Sequence, residues 1–389
     1  MQVLKAKYIF DEAKLYSDHV IVIDNDKQSL KLLPEVEFIK QHQNRNCQII
    51  NYGDGVITSG FVDLQINGCG GVLFNNDISI NTLEIMYQNC CLHGTKYFMP
   101  TLISTSIANI FKSLDVVSEW VKVYGIRRGV IGLHLEGPFI SKNKPGIHML
   151  ENIIMPQDDI LRKIVQYSKL FKIKMTIAVE HFTHEQIQYL IANKIILSVG
   201  HSNASYQEVI EAKDIGLSSA THTFNAMSGL TARNSGVIGA VLNTDLFASV
   251  IVDLLHVACE NIEILYKIKT ADFMYLVSDA VTPSGIDLKD IQDDSFKSFK
   301  LFNKDIYLKN GRCVDSGDVL AGAYLTLKDA INNCINICQI PLQDVLKMAI
   351  VTPSKVVGMY DEISRLSYSN KTHIIYYATD TGNILPLRL

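Results

Sequence analysis

Carboxylates and imidazoles carry most metal-dependent and acid–base chemistry, and this chain puts them in one recurrent place, directly after short apolar runs. His134-Leu135-Glu136 closes one run and Glu180-His181 the next. His201 and His222 close two more, Asp253 and His256 follow another, and Asp279 ends the last. A single histidine at a strand end is ordinarily a hydrogen-bonded structural residue. Several acids and imidazoles at successive strand ends are harder to bury, because each is costly unless paired or metal-bound. One divalent cation would satisfy Glu136, His201 and His222 together. Two histidines and a carboxylate leave a coordination position for water, whose pKa then falls toward ~7. Asp279 is the carboxylate available to take that proton and return it to a leaving group. Taken alone, it reads rather as a helix N-cap in Ser278-Asp279-Ala280. His134 shares a strand face with Glu136 and is either an outer partner of the cation site or a packed barrel histidine. His181 and His184 read as residues of a helix start rather than a metal pair. Arg233, in the polar loop Ala232–Gly236, is a surface residue unless it borders the mouth, where a guanidinium would clamp an anion.

These side chains act together only if a scaffold brings the run ends to one rim. From Ser59 the runs recur eight times: Gly60–Ile66, Lys96–Thr101, Val130–Leu135, Ile173–Val179, Ile195–Gly200, Ser218–Thr221, Ala248–Val252 and Phe273–Ser278. They are continuous rather than alternating, as in parallel strands buried on both faces, and segments of helical period separate them. The pattern predicts an α/β fold, a (β/α)8 TIM barrel, with its chemistry at the C-terminal ends of the strands. Residues 1–58 predict a small β module, with His19–Asp24 as a strand and Asp24–Lys27 as a turn. Late in the chain, Asp305–Asp315 predicts a hairpin with an Asn310-Gly311 turn, followed by helices over Ala323–Cys338 and Leu342–Ala349. From Ser354 the pattern is again β-like, so the tail would complete the N-terminal module. The expected division is 1–58, 59–353 and 354–389.

Composition removes several classes. Of 389 residues, 36 are Lys or Arg and 40 are Asp or Glu, a net charge of −4, so nothing points to nucleic acid or an anionic membrane. No apolar run nears the ~18 residues of a membrane span and no secretory leader is evident, which predicts a cytoplasmic protein. The 8 cysteines form no C-x-x-C pair and read as reduced thiols, Cys334 and Cys338 as small buried residues. There is no Walker loop, no G-x-G-x-x-G and no G-x-S-x-G.

Seven stretches in order carry a specific resemblance: Ser59–Gly71, Gly94–Thr101, Gly132–Phe139, Gly200–Ala204, Thr221–Met227, Leu276–Ala280 and Leu320–Gly322. From about residue 55 to Met359 the chain resembles the N-acetylglucosamine-6-phosphate deacetylase family of the amidohydrolase superfamily. The resemblance implies a metal-dependent hydrolase barrel with a small β-sandwich built from both termini, acting on a phosphorylated amino sugar. It implies Glu136, His201 and His222 as metal ligands and Asp279 as general base, then acid. His148, beside Ile147, would contact the acetamido carbonyl. Asn225 and Ala226 would contact the sugar phosphate, Arg233 and His256 the phosphate, and Leu320, Ala321 and Gly322 would line the sugar pocket. Where many superfamily members carry His-x-His, this chain has Gln65-x-Asn67, which implies one divalent metal ion per subunit, zinc first, with iron, cobalt or manganese also compatible. The resemblance implies a homodimer or a higher homo-oligomer. Rival readings are the galactosamine 6-phosphate epimer as substrate, another amidohydrolase such as a cyclic-amide hydrolase, and a non-catalytic sugar-phosphate-binding relative.

Overall fold

The computed structural model describes residues 1–24, 29–42, 47–287, 298–367 and 373–387. Eight strands stand in sequence order around one sheet: β1 (Phe61–Ile66), β2 (Thr95–Ile103), β3 (Gly132–Glu136), β4 (Lys172–Ile177), β5 (Ile196–Val199), β6 (Ser219–Ala220), β7 (Phe247–Val250) and β8 (Met274–Leu276). Each pairs in parallel with its neighbours. A bridge between Ile66 and Ala280 closes the ring. The expected runs and the observed strands agree to within two residues at every end, and the short polar run at Ser218–Thr221 is the two-residue β6.

Alternation explains why these runs look continuously buried. Outward positions such as Val62, Leu64, Leu133, Leu135, Ile173 and Met175 are apolar and fully buried under the helices. Inward positions are polar: Asp63 and Gln65, His134 and Glu136, Lys174 and Thr176. A barrel interior is usually filled by branched apolar side chains. Here hydrogen bonds fill it instead. His134 Nδ1 meets Thr101 Oγ1 at 3.2 Å and its Nε2 meets Thr176 Oγ1 at 2.7 Å. Thr176 and Ser198 both bond Thr221 Oγ1, at 2.7 and 2.6 Å. His134 is therefore a barrel-filling residue with both nitrogens engaged. Burial pushes the Asp63 carboxyl up to about 7 and the Lys174 amine down to about 8.

Helices follow the strands and begin at legible signals. Ser79 and Ser106 cap Ile80–Leu92 and Ile107–Tyr124. Capping boxes open His184–Ala192 (Thr183 with Gln186), Tyr206–Asp214 (Ser205 with Glu208) and Leu327–Asn336 (Thr326 with Asp329). The last helix differs from expectation, because Ala323 belongs to a strand, Leu320–Ala323. That strand joins Ser298–Leu301, Lys304–Lys309 and Arg312–Val314 in an antiparallel lobe beyond β8. Asn310 and Gly311 both have positive φ, as a two-residue hairpin turn requires.

The small domain is two sheets. Gln2–Lys5, His19–Asp24, Ser29–Pro34 and Gln48–Asn51 form one. In the other, C-terminal Ile374–Ala378 pairs antiparallel with Gly55–Ser59 over five residues, flanked by Tyr8–Asp11 and Ile384–Pro386. Leu4, Ile9, Ile21, Ile57, Ile374 and Tyr376 pack between the sheets. The return to this domain comes later than the Ser354 expected: Thr352–Val356 and Tyr360–Ser364 are helical, and Val357, Met359 and Ile363 join the barrel's core. The expected turn at Asp24–Lys27 falls largely outside the described residues. No helix among the described residues is long and apolar enough to cross a membrane.

Candidate active site

Four strand ends converge on one cavity. It is lined by Glu136 at the end of β3, His201 after β5, His222 after β6 and Asp279 after β8, together with Ile147, His148, Asn225, Ala226, His256, Leu320, Ala321 and Gly322. Three of the chemical residues sit just past their strands in left-handed backbone: His201 (φ 48°), His222 (φ 34°) and Asp279 (φ 49°). That conformation costs a non-glycine residue on the order of 1–3 kcal/mol and is characteristic of functional sites. It also turns each side chain inward over the barrel mouth. Asp279 starts no helix, so the N-cap reading does not hold.

Glu136 Oε1, His222 Nε2 and His201 Nε2 form a tight triangle. Glu136 to His222 is 2.9 Å, Glu136 to His201 is 3.2 Å, and the two imidazole nitrogens are 3.1 Å apart. Donors about 2.0–2.2 Å from a shared cation lie roughly that far from one another. His201 Nδ1 donates to the Lys144 carbonyl at 2.8 Å, which leaves Nε2 with its lone pair. Burial alone would raise Glu136, yet His201 and His222 hold it well below the ordinary carboxylate range. An ionised carboxylate and two imidazole nitrogens, all buried, fit a divalent cation.

His148 also comes near, one of its ring nitrogens lying within 4.8 Å of a Glu136 carboxylate oxygen and a His201 nitrogen. Its tautomer argues against a ligand role. The Ser104 N–H, which can only donate, points at His148 Nδ1 from 3.2 Å, and Ser104 Oγ is 2.8 Å away. Nδ1 therefore carries the lone pair and Nε2 carries the proton. Burial pushes the His148 imidazole down to about 3, so it is neutral at pH 7 and offers one N–H. Such a group stabilises a developing oxyanion.

Asp279 is gripped from one side. Gln65 Nε2 donates to its Oδ1 at 3.1 Å and to Glu136 Oε1 at 3.1 Å; Asn67 Nδ2 donates to the same Oδ1 at 2.7 Å. Burial, then the nearby Glu136 charge, pushes the Asp279 carboxyl up to about 6. Gln65 thus bridges the two acids, while Asn67 holds Asp279 alone. Gln65 Oε1, Asn67 Oδ1 and His222 Nδ1 are buried without a partner among the described residues, as in a site completed by a bound group.

Other expected residues fall differently. Arg233 is exposed in its loop and does not line the cavity. Glu180 bonds Ser202 Oγ and the Asn203 N–H, both at 2.7 Å, and so braces the loop after His201. His184 faces Glu211 at 3.8 Å on the surface. All eight cysteines are free, with Cys334 and Cys338 buried. Sequence reading left Ser104 and Asp253 without roles, although both stand at strand ends, the one position already flagged as informative.

No family model matches the chain. It is similar to the N-acetylglucosamine-6-phosphate deacetylase of Haemophilus influenzae, 36% identical over 376 residues, covering 96% of this chain and 94% of that protein. It is 31% identical to the N-acetylgalactosamine-6-phosphate deacetylase of a Shewanella species over 311 residues, covering 78% of this chain and 74% of the relative. A crystal structure of N-acetylglucosamine-6-phosphate deacetylase from Pasteurella multocida superposes with a TM-score of 0.89 at 32% identity, covering 99% of this chain and 97% of that one. With the strand-end acids and imidazoles in one mouth and identity extending over nearly the whole chain, the protein belongs to the N-acetylglucosamine-6-phosphate deacetylase family of the amidohydrolase superfamily.

Proposed function

We propose that this chain hydrolyses the N-acetyl group of N-acetylglucosamine 6-phosphate, releasing acetate and glucosamine 6-phosphate. The observation that carries the reading is the 2.9–3.2 Å triangle of Glu136, His201 and His222 with Asp279 beside it. These three residues are the proposed holders of one divalent cation per subunit, zinc first. Bound there, such an ion supplies Lewis acidity that eases loss of a proton from water and polarises a carbonyl. Asp279 takes the proton and later delivers it to the departing nitrogen. His148 donates its Nε2–H to the acetamido oxygen as charge builds there. Asn225, Ala226, Ile147 and the strand Leu320–Gly322 bound the sugar, and His256 meets the phosphate, whose distance from the reacting amide lets it fix the register of attack.

The proposed small domain joins 1–58 to the end of the chain, and the proposed barrel domain starts at 59 and runs past 353 through the helices Thr352–Val356 and Tyr360–Ser364. Free thiols throughout suit a reducing compartment, and the cytoplasm is the one proposed. A homodimer is part of the same reading. The 31% identity to the Shewanella enzyme favours one second reading, the C4 epimer as substrate. The deciding experiment is acetate release from phosphorylated and unphosphorylated N-acetyl hexosamines, with metal analysis of the same sample. Release should track metal content and be fastest for N-acetylglucosamine 6-phosphate. Preference for the galactosamine series would install the second reading, and ligand binding without acetate would mark a non-catalytic relative.

A further inference from the structure

His256 has a buried partner to which no role has yet been given. Its Nδ1 lies 2.6 Å from Asp253 Oδ2, and both side chains are 6% exposed. Asp253 Oδ1 separately accepts the N–H groups of Leu255 and His256, at 2.9 and 2.8 Å, so the carboxylate also shapes the turn that presents the ring. With Nδ1 committed to Asp253, Nε2 is the nitrogen left for a ligand, and His256 lines the cavity with Asp279. We infer that Asp253 is a positioning residue that keeps His256 cationic and in one orientation, so that the phosphate end of the substrate meets a charged N–H donor. The inference rests on the proposed function for the identity of the anion.

The surroundings favour this state. Burial by itself would push the His256 imidazole down, but the bonded Asp253 carboxylate outweighs it and the net shift is upward. Asp253 is held below its ordinary range despite burial, again through His256. Three other groups face the pair from neighbouring elements. Asp279, after β8, adds to the upward pull on His256, and Arg312, on the hairpin, opposes it. The Cys313 thiol faces Asp253 and is pushed up to about 12, so it stays neutral. Arg312 is itself 3.4 Å from Asp318. The groove on the outer side of Asp253 carries His93, Asp287, Lys328 and Asp329. A neutral imidazole could still donate one hydrogen bond, but a charge-assisted bond to phosphate is about twice as strong.

Asp253→Asn separates this role from a merely structural one. Asparagine keeps an oxygen for the turn but removes the charge, and its amide N–H groups face Nδ1, which forces the ring toward the neutral state. Between pH 7 and 8.5 a phosphate monoester is already a dianion, so pH changes in that window report on the protein. In the metal-loaded wild type, KM for N-acetylglucosamine 6-phosphate and the affinity for glucose 6-phosphate, a second monoester, should stay level across it. In Asp253→Asn, KM should rise about tenfold or more throughout the window, kcat should stay within roughly threefold, and kcat/KM for unphosphorylated N-acetylglucosamine should not change. Equal losses on both sugars, or a glucose 6-phosphate affinity the same as wild type at every pH, would overturn the inference. Glucose 6-phosphate affinity lost in the variant of a wild type that releases no acetate would uphold it while defeating the proposed function. If the variant does not fold, the wild-type titration decides: affinity falling already from pH 7 would mean that His256 is an ordinary imidazole.

Discussion

Asp279 shows most directly how surroundings turn a common residue into a reagent. Burial and the Glu136 charge place its carboxyl at about 6. A base must be ionised, so turnover should be sustained above that pH and fall as pH drops through it. A cation held by Glu136, His201 and His222 would draw the value lower, so the acid limb of kcat/KM should lie at or below about pH 6. Asp279→Asn should remove that limb and lower kcat by roughly 10²–10⁴-fold while bound metal, measured by elemental analysis, stays at the wild-type level. Loss of the metal from that variant would make Asp279 a ligand instead. Residues of this kind were legible in the sequence because acids and imidazoles closing buried runs are costly without a purpose. Ser104 and Asp253 were not, because each works through a single bond to another residue, and nothing in its own type or spacing announces that partner.

At the scale of elements, the strand Leu320–Ala323 does more than roof the cavity. Ala323 N–H donates to the Asp279 carbonyl at 2.9 Å and Val281 N–H donates to the Ala323 carbonyl at 3.2 Å, so this strand fixes the backbone of the proposed base. Gly322 makes the contact possible. Its φ is +70°, and a Cβ there would lie 2.5 Å from Val281 Cγ1 and 2.8 Å from the Asp279 carbonyl oxygen. Gly322→Ala should push the strand away, lowering kcat at least tenfold, with a cost in stability of about 1–3 kcal/mol readable by thermal melting. An unchanged kcat would mean that the strand only covers the site. The barrel strands were readable as buried runs. The helix expected from Ala323 overlaps the end of this strand, since Leu-Ala-Gly-Ala carries neither a period of 2 nor the β-branched residues that mark a strand.

Across the whole molecule, chemistry and small-domain packing are spatially separate. Every residue lining the cavity lies between Asn67 and Gly322, and none belongs to the small domain. Ile57 is fully buried between the two small sheets, on the strand that receives the C-terminal Ile374–Ala378. Ile57→Ala should cost about 2–5 kcal/mol in denaturant unfolding and leave kcat per folded molecule unchanged. A fall in kcat would show that the small domain shapes the barrel mouth. Barrel and terminal module were both visible in advance because period and run length report burial. The crossing between them was not, since Val357, Met359 and Ile363 read as neither strand nor long helix and reveal their side only by what they touch.

Gln65 and Asn67 direct both of their amide donors to the same oxygen, Oδ1, of Asp279. In the proposed reaction its other oxygen is the one that receives hydrogen from the nucleophile and surrenders it to the amine. The two halves of the reaction need no swivel of the side chain between them.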